Sequence, residues 1–216
     1  MIISQLKPQD ELLASLKEYK KIFLVGCGEC ATACKSGGEA EILKMRQSLE
    51  AAGKTVTGFC IPSAPCVAAK LKPELVKHAQ DLNLAEAVLV LACGLAVQSF
   101  KDNDRLNLTV LPACNTLFGA VMDARGNFFE KCSMCAECIL DKTAGICPIT
   151  LCAKSLLNGP CGGANKGKCE VDSDRDCAWT LIYNELEKNK KLGLLREIRA
   201  AKDFRKTAKP HKLIMR

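Results

Sequence analysis

The chain has 216 residues, 48% of them hydrophobic, and a formal net charge of +7, enough for one large domain or two small ones with a real buried core. No apolar run approaches the roughly 20 residues that a bilayer span needs, and the opening "MIISQLKPQDELLASL" carries two acids and no continuous apolar stretch. Membrane insertion and secretion are therefore not expected, and a reducing cytoplasm, where structural disulfides are rare, is.

Up to residue 120 strand and helix signals alternate. Continuous apolar runs at 21–26 (KIFLVG), 55–59 (TVTGF), 87–92 (AVLVLA) and 108–113 (LTVLPA) predict parallel strands buried on both faces. Between the first two, Ile42, Leu43, Met45 and Leu49 recur at helical spacing before Gly53. A second helix is predicted over 73–84, with Pro73 in its first turn. The series implies an open parallel, Rossmann-like α/β sheet with helices on both faces.

Fifteen cysteines stand against two histidines, which favours all-thiolate metal sites, zinc or iron–sulfur, over mixed Cys/His sites. Each predicted strand runs into one of them: Cys27, Cys60, Cys93 and Cys114. The carboxyl ends of such strands form the ligand crevice of an open α/β sheet. Packing as small buried hydrophobes is the alternative for any single one of the four. The densest group is GCGECATAC (26–34), with Cys27, Cys30 and Cys34. Gly26, Gly28 and Ala31 also match the dinucleotide-binding turn. That match is outweighed, because the second strand ends without an acid and three thiols stand where pyrophosphate would lie.

From residue 126 the composition changes. Cys132, Cys135, Cys138, Cys147, Cys152, Cys161, Cys169 and Cys177 fall in a Gly- and Asn-rich stretch with no long apolar strand. Metal cross-linking is expected to stabilise it. The first three are spaced C-x2-C-x2-C, followed by Cys147-Pro148, which is the ferredoxin pattern although its last interval is longer than usual. The remaining thiols suit zinc or a further cluster. A helix follows Cys177, with Trp179, Ile182 and Leu186 on one face. From Lys188 onward the chain is strongly basic and reads as a solvated helix or tail. It lacks the aromatic interleaving of a nucleic-acid site, so no nucleic-acid partner is expected. The expected divisions are 1–125 (α/β domain), 126–187 (cysteine-rich domain) and 188–216 (basic tail).

The stretches "CILDKTAGICPITLCAKSLLNGPCGGANKGKCEV" (138–171), "CAWTLIY" (177–183), "GCGECATAC", "LACGLAVQSF" (91–100) and "NTLFGA" (115–120) resemble the MetV family. Its members are the small subunits of MetVF-type methylenetetrahydrofolate reductases. The resemblance implies a cytoplasmic accessory redox subunit, not the catalytic chain, in one-carbon metabolism or the reductive acetyl-CoA pathway. It implies two or three [4Fe–4S] clusters, with zinc also ascribed to the family, and a flavin-bearing MetF-type partner. Ferredoxin or a larger electron-transfer complex would be the donor. Cys27, Cys30, Cys34, Cys66, Cys93 and the eight later cysteines match the pattern, whereas Cys60 and Cys114 are additional. An N-terminal cluster on Cys27, Cys30, Cys66 and Cys93 is expected, with Cys34 as a fifth candidate. A second would use Cys132, Cys135, Cys138 and either Cys147 or Cys177. A third site would draw on Cys147, Cys152, Cys161, Cys169 and Cys177.

Two other readings compete. One is a structural zinc scaffold of the same reductase without a redox role. The other is an enzyme with Cys34 or Cys66 as nucleophile, for which no partner base is evident in the sequence.

Overall fold

The structure is a computed structural model and describes residues 1–215. The chain divides into two compact units, Met1–Phe118 and Gly119–Arg216, so the division falls a few residues before the composition change at 126.

The first unit opens with β1 (Ile2–Leu6) and α1 (Gln9–Ser15), then β2 (Lys21–Val25), the one-turn α2 (Cys30–Ala33) and α3 (Glu39–Ala51). It continues through β3 (Thr55–Cys60), α4 (Ala68–Lys77), α5 (Ala79–Leu84), β4 (Ala87–Val90), α6 (Gly94–Asn103) and β5 (Thr109–Pro112). The four parallel strands lie in the order β3-β2-β4-β5. After β2 the chain moves outward to β3, then returns across to β4, so the sheet reverses between β2 and β4. This is the expected α/β architecture.

Both faces of the sheet are covered, which is why the central strands are apolar and buried throughout 22–25 and 87–90. Phe23, Val25, Val88 and Val90 pack against Leu71, Leu82 and Phe100 of α4, α5 and α6. On the other face Ile22, Leu24, Leu89 and Leu91 meet Leu12 and Leu16, and Ile42 and Leu49 of α3. Pro73 is not in a first turn: α4 starts at Ala68 and Pro73 lies inside it. There it removes an i→i−4 hydrogen bond, and the predicted 73–84 helix is two helices meeting at His78.

A second sheet has the order β1-β6-β7, with β6 (Cys114–Met122) running across the unit division and β7 (Phe128–Glu130) antiparallel to it. Neither β1 nor β6 is signalled in the sequence by a continuous apolar run. Beyond β7 the described residues of the second unit contain α7 (Pro148–Leu151), α8 (Ala178–Lys188) and three 3-10 turns. Trp179, Ile182 and Leu186 of α8 form its apolar cluster, with Ala144, Ile146, Leu156 and Leu192 against them. The basic stretch after Lys188 holds two of the 3-10 turns, Leu192–Arg196 and Phe204–Thr207. No helix among the described residues is long and apolar enough to cross a membrane.

Candidate metal centre

In the first unit the thiols gather where the sheet reverses, at the carboxyl ends of β2 and β4. Cys27 leaves β2, Cys30 opens α2, Cys34 closes it, and Cys93 caps α6. The 26–38 loop is fixed by Cys27 N–H donating to the Gly37 carbonyl (3.0 Å) and Gly28 N–H to that of Pro62 (2.9 Å). A Cβ on Gly28 would lie 3.2 Å from Ser63 Cα, so this glycine lets the 61–66 segment, and with it Cys66, pass close beside Cys27. Gly37 is more constrained, since a Cβ there would meet the Leu91 carbonyl oxygen at 1.7 Å. The one-turn α2 also disposes of the dinucleotide reading, because it is too short to offer pyrophosphate a helix dipole.

Electrostatics link four of these thiols. Burial pushes the Cys66 thiol up, and so do the neighbouring sulfurs of Cys93, Cys27 and Cys30. These four are the expected N-terminal set. Bringing four soft sulfur donors together disfavours their ionisation unless a cation shares the charge. Ile2 N–H points at Cys30 Sγ at 3.5 Å. For Cys60 and Cys114 burial dominates, although the Cys93 and Cys34 sulfurs also push Cys114 up. Cys60 and Cys114 lie in the two apolar layers flanking the sheet, and burial pushes both thiols to about 12. They are packed residues.

In the second unit the C-x2-C-x2-C loop has an unusual backbone. Met134 (φ 54°) and Ala136 (φ 60°), the residues between its thiols, are both left-handed without being glycine. Residues with a Cβ avoid this region, and such outliers concentrate at ligand sites. Left-handed turns aim backbone N–H groups into one concavity, a device for holding anions including iron–sulfur centres. Met134 N–H accordingly lies 3.4 Å from Cys132 Sγ. Cys135 Sγ receives the Lys202 ammonium at 3.1 Å. Burial alone would raise its thiol, but hydrogen bonding at Glu137 and the Lys202 charge carry it below the ordinary value. Cys147 precedes Pro148, the first residue of α7, where proline's fixed φ suits a helix start.

Cys152, Cys161, Cys169 and Cys177 line one small cavity of about 20 Å³, together with Pro160, Ala178 and Trp179. Cys177 caps α8. Burial opposes its ionisation, but hydrogen bonds from Thr180 and Trp179 hold the thiol below its usual value, as expected at a helix N-terminus. Cys161 Sγ lies 3.2 Å from Glu170 Oε1, and Lys154 pairs with the same carboxylate. Among the described residues no three Cys, His, Asp or Glu side chains close to ligation distance. Proximity thus groups Cys27, Cys30, Cys66 and Cys93, and groups Cys152, Cys161, Cys169 and Cys177. No contact joins Cys132, Cys135, Cys138 and Cys147. Lys202 and Thr180 escaped sequence reading; only the basic charge of the 188–216 stretch hinted at the former.

Residues 111–205 match a family described as "Methylene-tetrahydrofolate reductase C terminal". No curated protein and no solved structure matches the chain. The region from β5 through the cysteine-rich unit is therefore related to the C-terminal part of methylene-tetrahydrofolate reductases.

Proposed function

We propose that this chain is a MetV-type electron-transfer subunit of a methylenetetrahydrofolate reductase, acting in the cytoplasm beside a MetF-type flavoprotein in one-carbon metabolism. Its electrons come from ferredoxin or a larger electron-transfer complex. The observation that carries the reading is the left-handed pair Met134 and Ala136 inside C-x2-C-x2-C, a backbone shaped for a cluster and not required by the zinc knuckle alone. The family match over 111–205 supplies the reductase.

In this reading Cys27, Cys30, Cys66 and Cys93 hold one [4Fe–4S] cluster at the sheet reversal, with Cys34 next to them in sequence as a spare donor. Cys132, Cys135 and Cys138 hold a second, with Cys147 as its fourth ligand because Cys177 shares a cavity with Cys152, Cys161 and Cys169. That cavity has room for a single ion and not for a cubane, so tetrahedral zinc suits it better than a third cluster. Bound clusters would supply one-electron transfer. The chain's part is to present the thiolates, donate backbone N–H groups to their sulfurs and bury one side of each site.

Anaerobically purified protein should contain about eight iron and eight acid-labile sulfide per chain with one zinc. Cys135→Ser should remove the EPR signal of one reduced cluster and leave the other. Colourless protein carrying zinc but neither iron nor sulfide would overturn the reading in favour of a zinc scaffold, which the small four-thiol cavity by itself would also suit.

A further inference from the structure

The basic stretch after Lys188 is not a free tail. Upstream, Asn158 and Arg199 exchange two hydrogen bonds, side-chain amide to carbonyl and N–H to amide oxygen, each 2.9 Å. Glu197 pairs with Lys142 at 3.4 Å. Downstream, Asp203 N–H donates to Glu137 Oε2 at 3.0 Å and the Lys206 ammonium reaches Glu137 Oε1. Between these two fastenings stands Lys202. Its half-buried ammonium donates to the Glu137 carbonyl and to Cys135 Sγ, 3.1 Å away.

Glu137 lies between Cys135 and Cys138 in the sequence, so the strap is tied to the cysteine loop itself. Ionic anchoring alone is already provided by Lys206 and Asp203. Those contacts do not explain why a second ammonium is directed at a sulfur. Lysine offers three donors around a compact positive charge. Placed on a ligand sulfur, such a donor withdraws charge and favours the more negative, reduced form of whatever centre the sulfur holds.

We propose that Lys202 is a positioning residue that raises the reduction potential of the centre on Cys132, Cys135, Cys138 and Cys147, and that the 197–206 strap exists to hold it there. This rests on the cluster reading above. A purely structural lysine would change stability without moving a potential.

The test is an EPR-monitored redox titration of the full-length anaerobic protein, following the signal that Cys135→Ser abolishes. Lys202→Met should shift the ratio of reduced to oxidised centre about tenfold towards oxidised at a given potential, which for one electron is about 59 mV. Lys202→Gln, which keeps a donor but loses the charge, should fall between Lys202→Met and wild type. Lys202→Arg should stay within threefold of wild type. Lys206→Met, which removes an equal charge from the strap without touching the sulfur, should shift the ratio by less than a third as much. An unmoved midpoint in Lys202→Met with its iron retained would overturn the proposal while leaving the cluster reading intact. So would an equal shift in Lys206→Met, or loss of the centre's iron from Lys202→Met. Wild-type protein without iron and sulfide would fail at the earlier step, taking the cluster reading with it.

Discussion

Phe23, Val88, Leu71 and Phe100 in the first unit, and Trp179, Ile182 and Leu186 in the second, mark two ways of holding a chain together. The first unit sandwiches a parallel sheet between two apolar layers, and its thiols stand at the rim of a fold that burial already supports. The second has one short apolar cluster around α8 and long irregular segments whose backbone cannot repay its ordering entropy by burial. Eight cysteines, none of them fully buried, are spread along those segments. If the proposed metals are bound, the same residue type is an addition in one unit and a framework in the other.

Removing metal should break that symmetry most sharply. Structural zinc contributes about 10–16 kcal/mol in small metal-dependent folds, as much as the whole stability of an ordinary domain. After treatment with oxidant and chelator, amides of 119–215 should exchange with solvent almost without protection, while those of β2, β3 and β4 keep theirs. Mass spectrometry of the exchanged peptides reads this directly. Protection retained across α8 in metal-free protein would mean that the Trp179 cluster suffices on its own.

Core substitutions sharpen the same contrast at a smaller scale. Phe100→Ala should cost the first unit about 3–5 kcal/mol in denaturant titration, by lost transfer and by cavity formation. Ile182→Ala in metal-loaded protein removes a fully buried side chain beside Cys152 and Cys177. It should show itself as release of zinc to a chelator at least tenfold faster, because the apolar cluster supports the walls of the four-thiol cavity. Unchanged release would separate that cluster from the site.

These differences also explain what the sequence disclosed. The parallel strands were legible within one or two residues because burial on both faces writes an uninterrupted apolar run, as in Lys21–Val25 and Ala87–Val90. Strand β6 was not, since buried Cys114 is followed by three exposed residues, Asn115, Thr116 and Leu117, a pattern that carries little hydrophobic signal. Pro73 misled because a first-turn proline and a tolerated interior one look alike without the preceding turn. For the candidate site, spacing and family resemblance supplied only the proposed donor residues. What brings Cys66 beside Cys93, Cys27 and Cys30 is sheet order, which no local spacing encodes. Lys202 lies 67 residues from Cys135, and only the fold of the strap connects them.

The smallest effect concerns the two most deeply buried thiols of the first unit, Cys60 and Cys114. Cys60 and Cys114 are held at about 12 by burial, against 9.0 for an ordinary thiol. Below pH 9 both are protonated whether the chain is folded or not, so they cost nothing. Between pH 9 and 12 the unfolded chain ionises while the folded one does not, and stability falls as pH rises. Each thiol contributes a slope of at most about 1.4 kcal/mol per pH unit. Cys60→Ala, a substitution of one small apolar side chain by another, should remove a measurable share of the alkaline loss of the first unit in denaturant titration between pH 9 and 11. Cys114→Ala should remove a similar share, and Cys66, whose thiol is also raised, accounts for part of what remains. An alkaline slope untouched in the double variant would place the titrating groups elsewhere and show that burial does not hold these two thiols protonated.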